Sequence, residues 1–197
     1  MRIERTEPKV IVFARLPQLG VGKTRLASFL SPQERFELSK ALFFQTLTVV
    51  EASGLPWIVC LSDCEGQGIS LPFPFVLQRG DGLSERMSHA FADIGCPAVM
   101  VGSDLLDLSV QKVQALVKGL DEADLTLLCA QDGGYGGIGL RAWAPVFDVP
   151  MSQPTTAQLT LEEAHQLGLR TKVVGTVRDV DRYEDYLLWK RFKNDGQ

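Results

Sequence analysis

Three cations, Arg15, Lys23 and Arg25, stand close together at the end of the apolar run Val10-Ile11-Val12-Phe13-Ala14, joined to it by the Pro/Gly loop Leu16-Pro17-Gln18-Leu19-Gly20-Val21-Gly22. A β-branched apolar run of that length reads as a buried strand. Glycines let backbone N–H groups approach a ligand closely, and a helix after such a loop aims its positive end at the same spot. Phosphate suits that combination, above all the phosphates of a nucleotide. Gly22-Lys23-Thr24 imitates the end of the ATPase loop G-x-x-x-x-G-K-[ST], but the first glycine of that motif would fall at Pro17. Proline has a fixed φ and no N–H, which does not suit the tight anion nest of an ATPase. The stretch therefore reads as a nucleotide-binding loop of another kind. The bland alternative is a strand-to-helix turn with solvated cations.

Carboxylates recur further along, each after an apolar run. Asp104 follows Ala98-Val99-Met100-Val101-Gly102-Ser103, Asp132 opens Asp132-Gly133-Gly134-Tyr135 after Leu125–Cys129, and Asp179-Val180-Asp181 follows Thr171–Val174. Cations and a carboxylate-held metal stabilise the charge that develops as a bond to a diphosphate leaving group breaks. That is the chemistry of nucleotidyl or glycosyl transfer. In this reading Lys23 and Arg25 neutralise phosphates, Asp104 holds Mg2+ or Mn2+ with Asp181 as a second oxygen donor, and Gly133-Gly134 let backbone pack against a sugar or base. No residue stands out as a nucleophile, so direct displacement by positioning and electrostatics is the simplest mechanism. Other readings stay open. Asp104 could cap a helix, though Ser109 is better placed for that; Asp107 reads as surface or cap; Asp179 and Asp181 could be solvated acids; Asp132-Gly133-Gly134 could be an ordinary turn; and Arg86 could merely pair with Glu85 or nearby acids.

The elements that must position these groups are legible in outline. Ser31-Pro32-Gln33-Glu34 predicts a helix start, with a serine cap, proline at the first position and a closing glutamate, and the helix runs to about Ala52. Strands are expected at Trp57–Leu61, Phe73–Val76, Ala98–Val101 and Leu125–Cys129, and helices at Leu83–Ile94 and Val110–Leu120. Shorter pieces follow: Ile138–Leu140, a helix over Ala157–Leu167, Thr171–Val174 and a last helix from about Tyr183. Strands alternating with helices of this length imply a three-layer α/β/α fold with a mainly parallel sheet, whose carboxyl-end edge would gather the polar residues named above.

Composition bounds the rest. The chain has 197 residues, 45% of them hydrophobic, and a net charge of -4 from 20 basic and 24 acidic residues. This suits one compact domain over 1–197 acting on small molecules, and argues against wholesale nucleic-acid binding. No run is long enough for a membrane span, and Met1-Arg2-Ile3-Glu4-Arg5 lacks a signal-peptide core, so a cytoplasmic location is expected. Cys60, Cys64, Cys96 and Cys129 read as reduced thiols, and His89 and His165 are too far apart in sequence to support a zinc site. Any metal would have oxygen ligands, as magnesium or manganese does.

These blocks together resemble the small bacterial GT-A-like glycosyltransferases related to 2-phospholactate guanylyltransferases, within the nucleotide-diphospho-sugar transferase superfamily. The resemblance runs from about Val10 to Trp189. Phe13-Ala14-Arg15-Leu16-Pro17 with Gly20 and Gly22-Lys23-Thr24-Arg25-Leu26 matches its opening signature. Gln78 with Leu83, Glu85, Arg86 and Met87 resembles its middle block, and Gly102-Ser103-Asp104 with Asp107-Leu108 its metal-binding turn. Asp132-Gly133-Gly134-Tyr135 with Gly139-Leu140, then Thr160 and Asp179-Val180-Asp181 with Glu184-Asp185, resemble its later blocks. The resemblance implies a Rossmann-like GT-A sheet, a divalent cation, and a nucleotide-sugar or nucleoside triphosphate as substrate. It implies Asp104, Asp132 and Lys23 as catalytic residues, and Ala14, Arg15, Gly22, Lys23, Thr24, Arg25, Gln78, Gly133, Gly134 and Tyr135 as binding residues.

The chain departs from the pattern at Leu106, at Asp81-Gly82-Leu83-Ser84, at Gly136-Gly137 and at Met151. The expected function is metal-dependent transfer from a nucleotide-activated donor, with glycosyl transfer to a small acceptor as the first reading. Nucleotidyl transfer of the guanylyltransferase type and nucleotide binding without catalysis are the alternatives.

Overall fold

The computed structural model describes residues 7–62 and 71–195, so Cys64 and the first residues lie outside it. Strands β1 (Lys9–Ala14), β2 (Trp57–Leu61), β3 (Phe75–Leu77), β4 (Ala98–Gly102), β5 (Leu125–Ala130), β6 (Tyr135–Leu140) and β7 (Thr171–Val177) are interleaved with helices α1 (Pro32–Ala52), α2 (Leu83–Ile94), α3 (Val110–Gly119), α4 (Thr156–Gln166) and α5 (Tyr183–Asp195).

Strand β1 explains the layering. Its side chains alternate between faces: Val10, Val12 and Ala14 pack with Phe43 and Leu47 of α1 and Val113 and Leu116 of α3, while Ile11 packs with Met87 and Phe91 of α2 and Ala157 and Ala164 of α4. A strand buried on both faces needs helices on both, which gives the α/β/α sandwich. Helix α5 packs outside that sandwich, Tyr186 meeting Leu38 and Leu42 of α1 and Leu26 of the loop before it. Helix α1 starts where its capping box dictates: Glu34 N donates to Ser31 Oγ at 3.2 Å and Ser31 N donates to Glu34 Oε2 at 2.8 Å.

The sheet has seven strands in the order β3-β2-β1-β4-β6-β5-β7. β1 is parallel to both β2 and β4, and β5 to β7, whereas β6 runs antiparallel to β4 and β5. The chain leaves β1 toward β2 on one side and later returns to place β4 on the other. The crevice beyond the carboxyl ends of β1 and β4 is therefore a topological switch point, where open α/β sheets bind ligands.

Three elements differ from the sequence expectation by two residues or more; one of them, β7, continues to Val177 rather than ending at Val174, pairing with β5 through Ala130. β3 begins at Phe75 rather than Phe73, because Pro74 has no N–H for the ladder; its carbonyl instead accepts Val59 N at 3.0 Å. β6 begins at Tyr135, three residues before the expected Ile138, as the return arm of a hairpin with β5. Its glycines make room for neighbours rather than turns. A Cβ at Gly136 would lie 2.4 Å from Val177 Cγ1, and one at Gly139 2.4 Å from Thr126 Oγ1.

Candidate active site

The loop from Arg15 to Lys23 crosses the end of β1. Gly20 and Gly22 take left-handed backbone conformations (φ 80° and 77°), and Lys23 follows them at φ 48°. No α-helix begins here, contrary to the expectation that a helix end would face the phosphates. Thr24–Leu26 form one 3₁₀ turn, and α1 starts only at Pro32. A left-handed Lys23 cannot continue into an α-helix, and Arg35 of α1 reaches back with Nη1 to hold the Gly22 carbonyl at 3.1 Å. Side-chain cations, not a helix dipole, must supply the positive field.

Lys23 points inward. Its Nζ lies 3.1 Å from Asp104 Oδ2 and 3.6 Å from Asp181 Oδ1, and Arg25 Nη1 lies 2.5 Å from Asp181 Oδ2. Backbone pairing aligns the two acid-bearing segments. Val180 N donates to Asp104 O at 3.0 Å and Leu106 N to Arg178 O at 2.7 Å. Asp107 clamps the same joint, accepting Arg178 N at 2.9 Å and Lys112 Nζ at 2.6 Å. The cap of α3 is Ser109, whose Oγ accepts Lys112 N, so the Asp104 carboxylate is not used as a helix cap. Asp185 accepts Arg182 N at 2.9 Å and Asp181 N at 3.3 Å, which leaves the Asp181 side chain to the cleft.

Asp179 is half-buried beside these groups. Burial, and then the neighbouring carboxylates of Asp104, Asp132 and Asp181, push its pKa up to about 6 from 3.8. A carboxyl raised by folding favours the folded state relatively below its unfolded pKa, and that contribution is lost as pH climbs through about 6. In metal- and nucleotide-free protein, Asp179→Asn is therefore expected to raise the melting temperature by a few degrees at pH 7.5 and hardly at all at pH 4. Thermal melts at both pH values check this; an equal effect at both would assign the change to something other than charge.

The opposite wall comes from the β5–β6 hairpin turn, the segment Met151–Gln153 and the start of α2. Together these surfaces enclose a cleft of about 780 Å³, a size suited to a nucleotide with a small partner. Of the expected residues, Ala14, Arg15, Gly22, Lys23, Arg25, Gln78, Asp104, Asp132, Gly134, Tyr135 and Asp181 line it, and Thr24 and Gly133 do not. Thr24 is exposed at the start of the 3₁₀ turn. Gly133 packs against Pro154, so its closeness serves protein rather than a sugar or base. Gln78 Nε2 is committed to the carbonyls of Ala14 and Cys60 at 3.2 and 2.9 Å, leaving Oε1 as the atom available to a ligand. The Tyr135 hydroxyl faces Met151 Sδ at 3.9 Å, and burial pushes its pKa up to about 12, so the ring offers a wall and not a proton carrier.

Sequence reasoning left several lining residues out of the site. Asp179 reads from sequence equally as one of the converging acids or as a solvated one, because its burial is set by segments far away in sequence. Arg86 does not pair with Glu85: its Nε donates to Gly80 O at 2.9 Å, while Glu85 Oε2 accepts Asp81 N at 2.9 Å. Met151 stands out in the sequence only as a departure from the family pattern, and Ser152 and Gln153 do not stand out.

The donor set fits magnesium or manganese. Asp104 and Asp181 offer only oxygen, and the ammonium already lying between them marks a place that attracts a cation. Among the described residues no group of three or more His, Cys, Asp or Glu forms an all-protein cage.

Comparisons with known proteins bear on the family and the fold. Two 2-phospho-L-lactate guanylyltransferases are each 28% identical to the chain. The one from Methanocorpusculum labreanum aligns over 83% of the chain and 74% of its own length, and the one from Methanopyrus kandleri over 85% and 84%. The crystal structure of a "putative nucleotide-diphospho-sugar transferase" from Desulfovibrio desulfuricans G20 superposes with a TM-score of 0.84 at 25% identity, covering 95% of this chain and 88% of that one. The α/β fold with its mixed, mainly parallel sheet is thus that of the nucleotide-activated transferases. Among the described residues no helix is long and apolar enough to cross a membrane. Residues 46–153 match the family described as "Uncharacterized protein conserved in bacteria (DUF2064)", and the chain belongs to that family.

Proposed function

We propose that the protein is a divalent-metal-dependent nucleotidylyltransferase. An anionic oxygen of a small acceptor attacks the α-phosphorus of a nucleoside triphosphate, the bond to the β-phosphate oxygen breaks, and pyrophosphate leaves. The observation that carries this reading is the convergence of Lys23, Arg25, Asp104 and Asp181 at the β1/β4 switch point, within one cleft large enough for both substrates. Two relatives named as guanylyltransferases favour nucleotidyl transfer over the glycosyl transfer that the sequence put first.

In this mechanism Arg15, Lys23 and Arg25 neutralise the triphosphate and the departing pyrophosphate. Asp104 and Asp181 hold the metal ion, which when bound supplies charge stabilisation at the phosphoryl oxygens. Gln78 Oε1 accepts a hydrogen bond from the nucleotide, and Ala14 and Gly22 let backbone come close to it. Gly134, Tyr135 and Asp132 face the acceptor. An ionised phosphate acceptor has no proton to lose, so the step itself requires no general base. Orientation and preorganised charge do the catalytic work.

The test is pyrophosphate release with manganese, GTP first and then the other triphosphates, with 2-phospho-L-lactate and related phosphorylated hydroxy acids as acceptors. Acceptor-dependent release supports nucleotidyl transfer. The Desulfovibrio structure motivates a second arm with sugar nucleotides. Nucleoside diphosphate released there, with no pyrophosphate in the first arm, would return the assignment to glycosyl transfer.

A further inference from the structure

We propose that Lys23 is an internal counter-ion that closes the metal site until a triphosphate withdraws it, so that the divalent cation and the nucleotide bind as a coupled pair. The inference rests on the nucleotidyl-transfer reading for the identity of the triphosphate, but not for the behaviour of the metal alone.

The Lys23 ammonium sits between the two carboxylates assigned to the metal, at 3.1 Å from Asp104 and 3.6 Å from Asp181. It lies on the inner side of the pair: the Lys23 side chain is 8% exposed, against 46% for Asp104 and 34% for Asp181. A divalent ion on the same oxygens would lie against that ammonium, and the two positive charges would repel each other. Metal entering alone must therefore displace Lys23 from both of its carboxylate partners. Arg25 differs, because it is 67% exposed and can release Asp181 to solvent.

The backbone around Lys23 is held, so a change of partner falls to its side chain alone. Arg35 fixes the Gly22 carbonyl at 3.1 Å, and Leu26 N donates to Lys23 O at 3.0 Å. A lysine stem is flexible and its ammonium binds phosphate as a point charge. A triphosphate on the Arg15–Gly22 loop offers Lys23 a new partner without any movement of the loop, and the vacated carboxylates then take the metal. Linkage makes the effect mutual: the nucleotide tightens metal binding by the same factor as the metal tightens nucleotide binding.

The experiment titrates Mn2+ by the electron-paramagnetic-resonance signal of the free ion. It uses wild type, Lys23→Met, Lys23→Gln and Lys23→Arg, each alone and with a non-hydrolysable α,β-methylene GTP analogue. Both neutral variants are expected to bind Mn2+ alone about tenfold or more tightly than wild type, and to show a smaller tightening by the analogue. Lys23→Arg keeps the charge and should bind Mn2+ alone as weakly as wild type. Folded neutral variants with unchanged or weaker affinity for Mn2+ alone overturn the proposal. Wild type that binds Mn2+ equally well with and without bound analogue overturns it too, and this needs no variant to fold. If wild type binds no analogue even with Mn2+, the nucleotidyl-transfer reading fails, and the metal-alone comparison still decides the role of Lys23.

Discussion

Asp104→Ala is expected to lower the rate of transfer at least about a thousandfold while leaving the fold intact. The argument begins with what the side chain does and does not hold. Its hydrogen bond goes to Lys23 Nζ, itself a group of the site, and the carboxylate is 46% exposed. The backbone at this position is fixed independently, because Val180 N donates to the Asp104 carbonyl and not to its side chain. Removing the carboxylate therefore deletes a metal ligand and leaves the β4–Asp179 joint in place. Stability should change by no more than about 1 kcal/mol, as for other partly exposed ion pairs. Steady-state pyrophosphate release measures the first claim and a thermal melt the second. A variant retaining a tenth of the wild-type rate would remove Asp104 from the metal site.

Gly133→Ala is expected to be the most damaging small substitution for stability, at about 3 kcal/mol, which is roughly 6–12 °C of melting temperature for a chain of this size. Gly133 has φ 90°, a region that residues with a Cβ rarely adopt. A Cβ there would stand 1.8 Å from Pro154 O and 2.5 Å from Pro154 C, both backbone atoms that cannot rotate away. Nor can the turn retreat: Gly133 N donates to Ala130 O at 3.2 Å, and Ala157 N donates to Gly133 O at 3.0 Å. The displaced partner is the segment carrying Met151–Gln153 into the cleft, so acceptor KM should rise together with the loss of stability. The neighbouring Gly134→Ala serves as control. Gly134 has no left-handed φ, and its Cβ would meet only the Asp132 carboxylate oxygen at 3.3 Å, so its cost should stay below about 1 kcal/mol. Equal melting temperatures for the two variants would show that the turn and the Pro154 segment are not packed as described.

The parts legible in the sequence are those whose causes lie among near neighbours. The start of helix α1 was readable because its cap, N-terminal proline and closing glutamate sit within four residues. Strand β1 was readable because an apolar β-branched run has one economical fate in an α/β protein, burial on both faces. The loop cations and Asp104 were readable because cations or an acid directly after a buried strand mark the ligand edge of a parallel sheet.

The parts that escaped depend on distant partners. The glycine-rich start of β6 looked like turn, because nothing nearby shows that Val177, Leu105 and Thr126 will occupy the space its missing side chains leave. The phosphates were expected to face a helix end, yet the chain is stopped there by left-handed Lys23 and by Arg35 reaching back from α1. Asp107 looked like ordinary surface, and only the docking of the segment before α5 makes it the clamp between Lys112 and Arg178.

The sequence by itself determined the element types, the α/β class and the clustering of the cations Arg15, Lys23 and Arg25 directly after β1, since periodicity, capping and charge are local properties. Only the tertiary structure decided that Lys23 lies between Asp104 and Asp181, that Asp179 is pushed up to about 6, and that Gly133 serves a protein contact. Those outcomes turn on distances between segments remote in the chain, and electrostatic and steric energies are set by such distances, not by separation along the sequence.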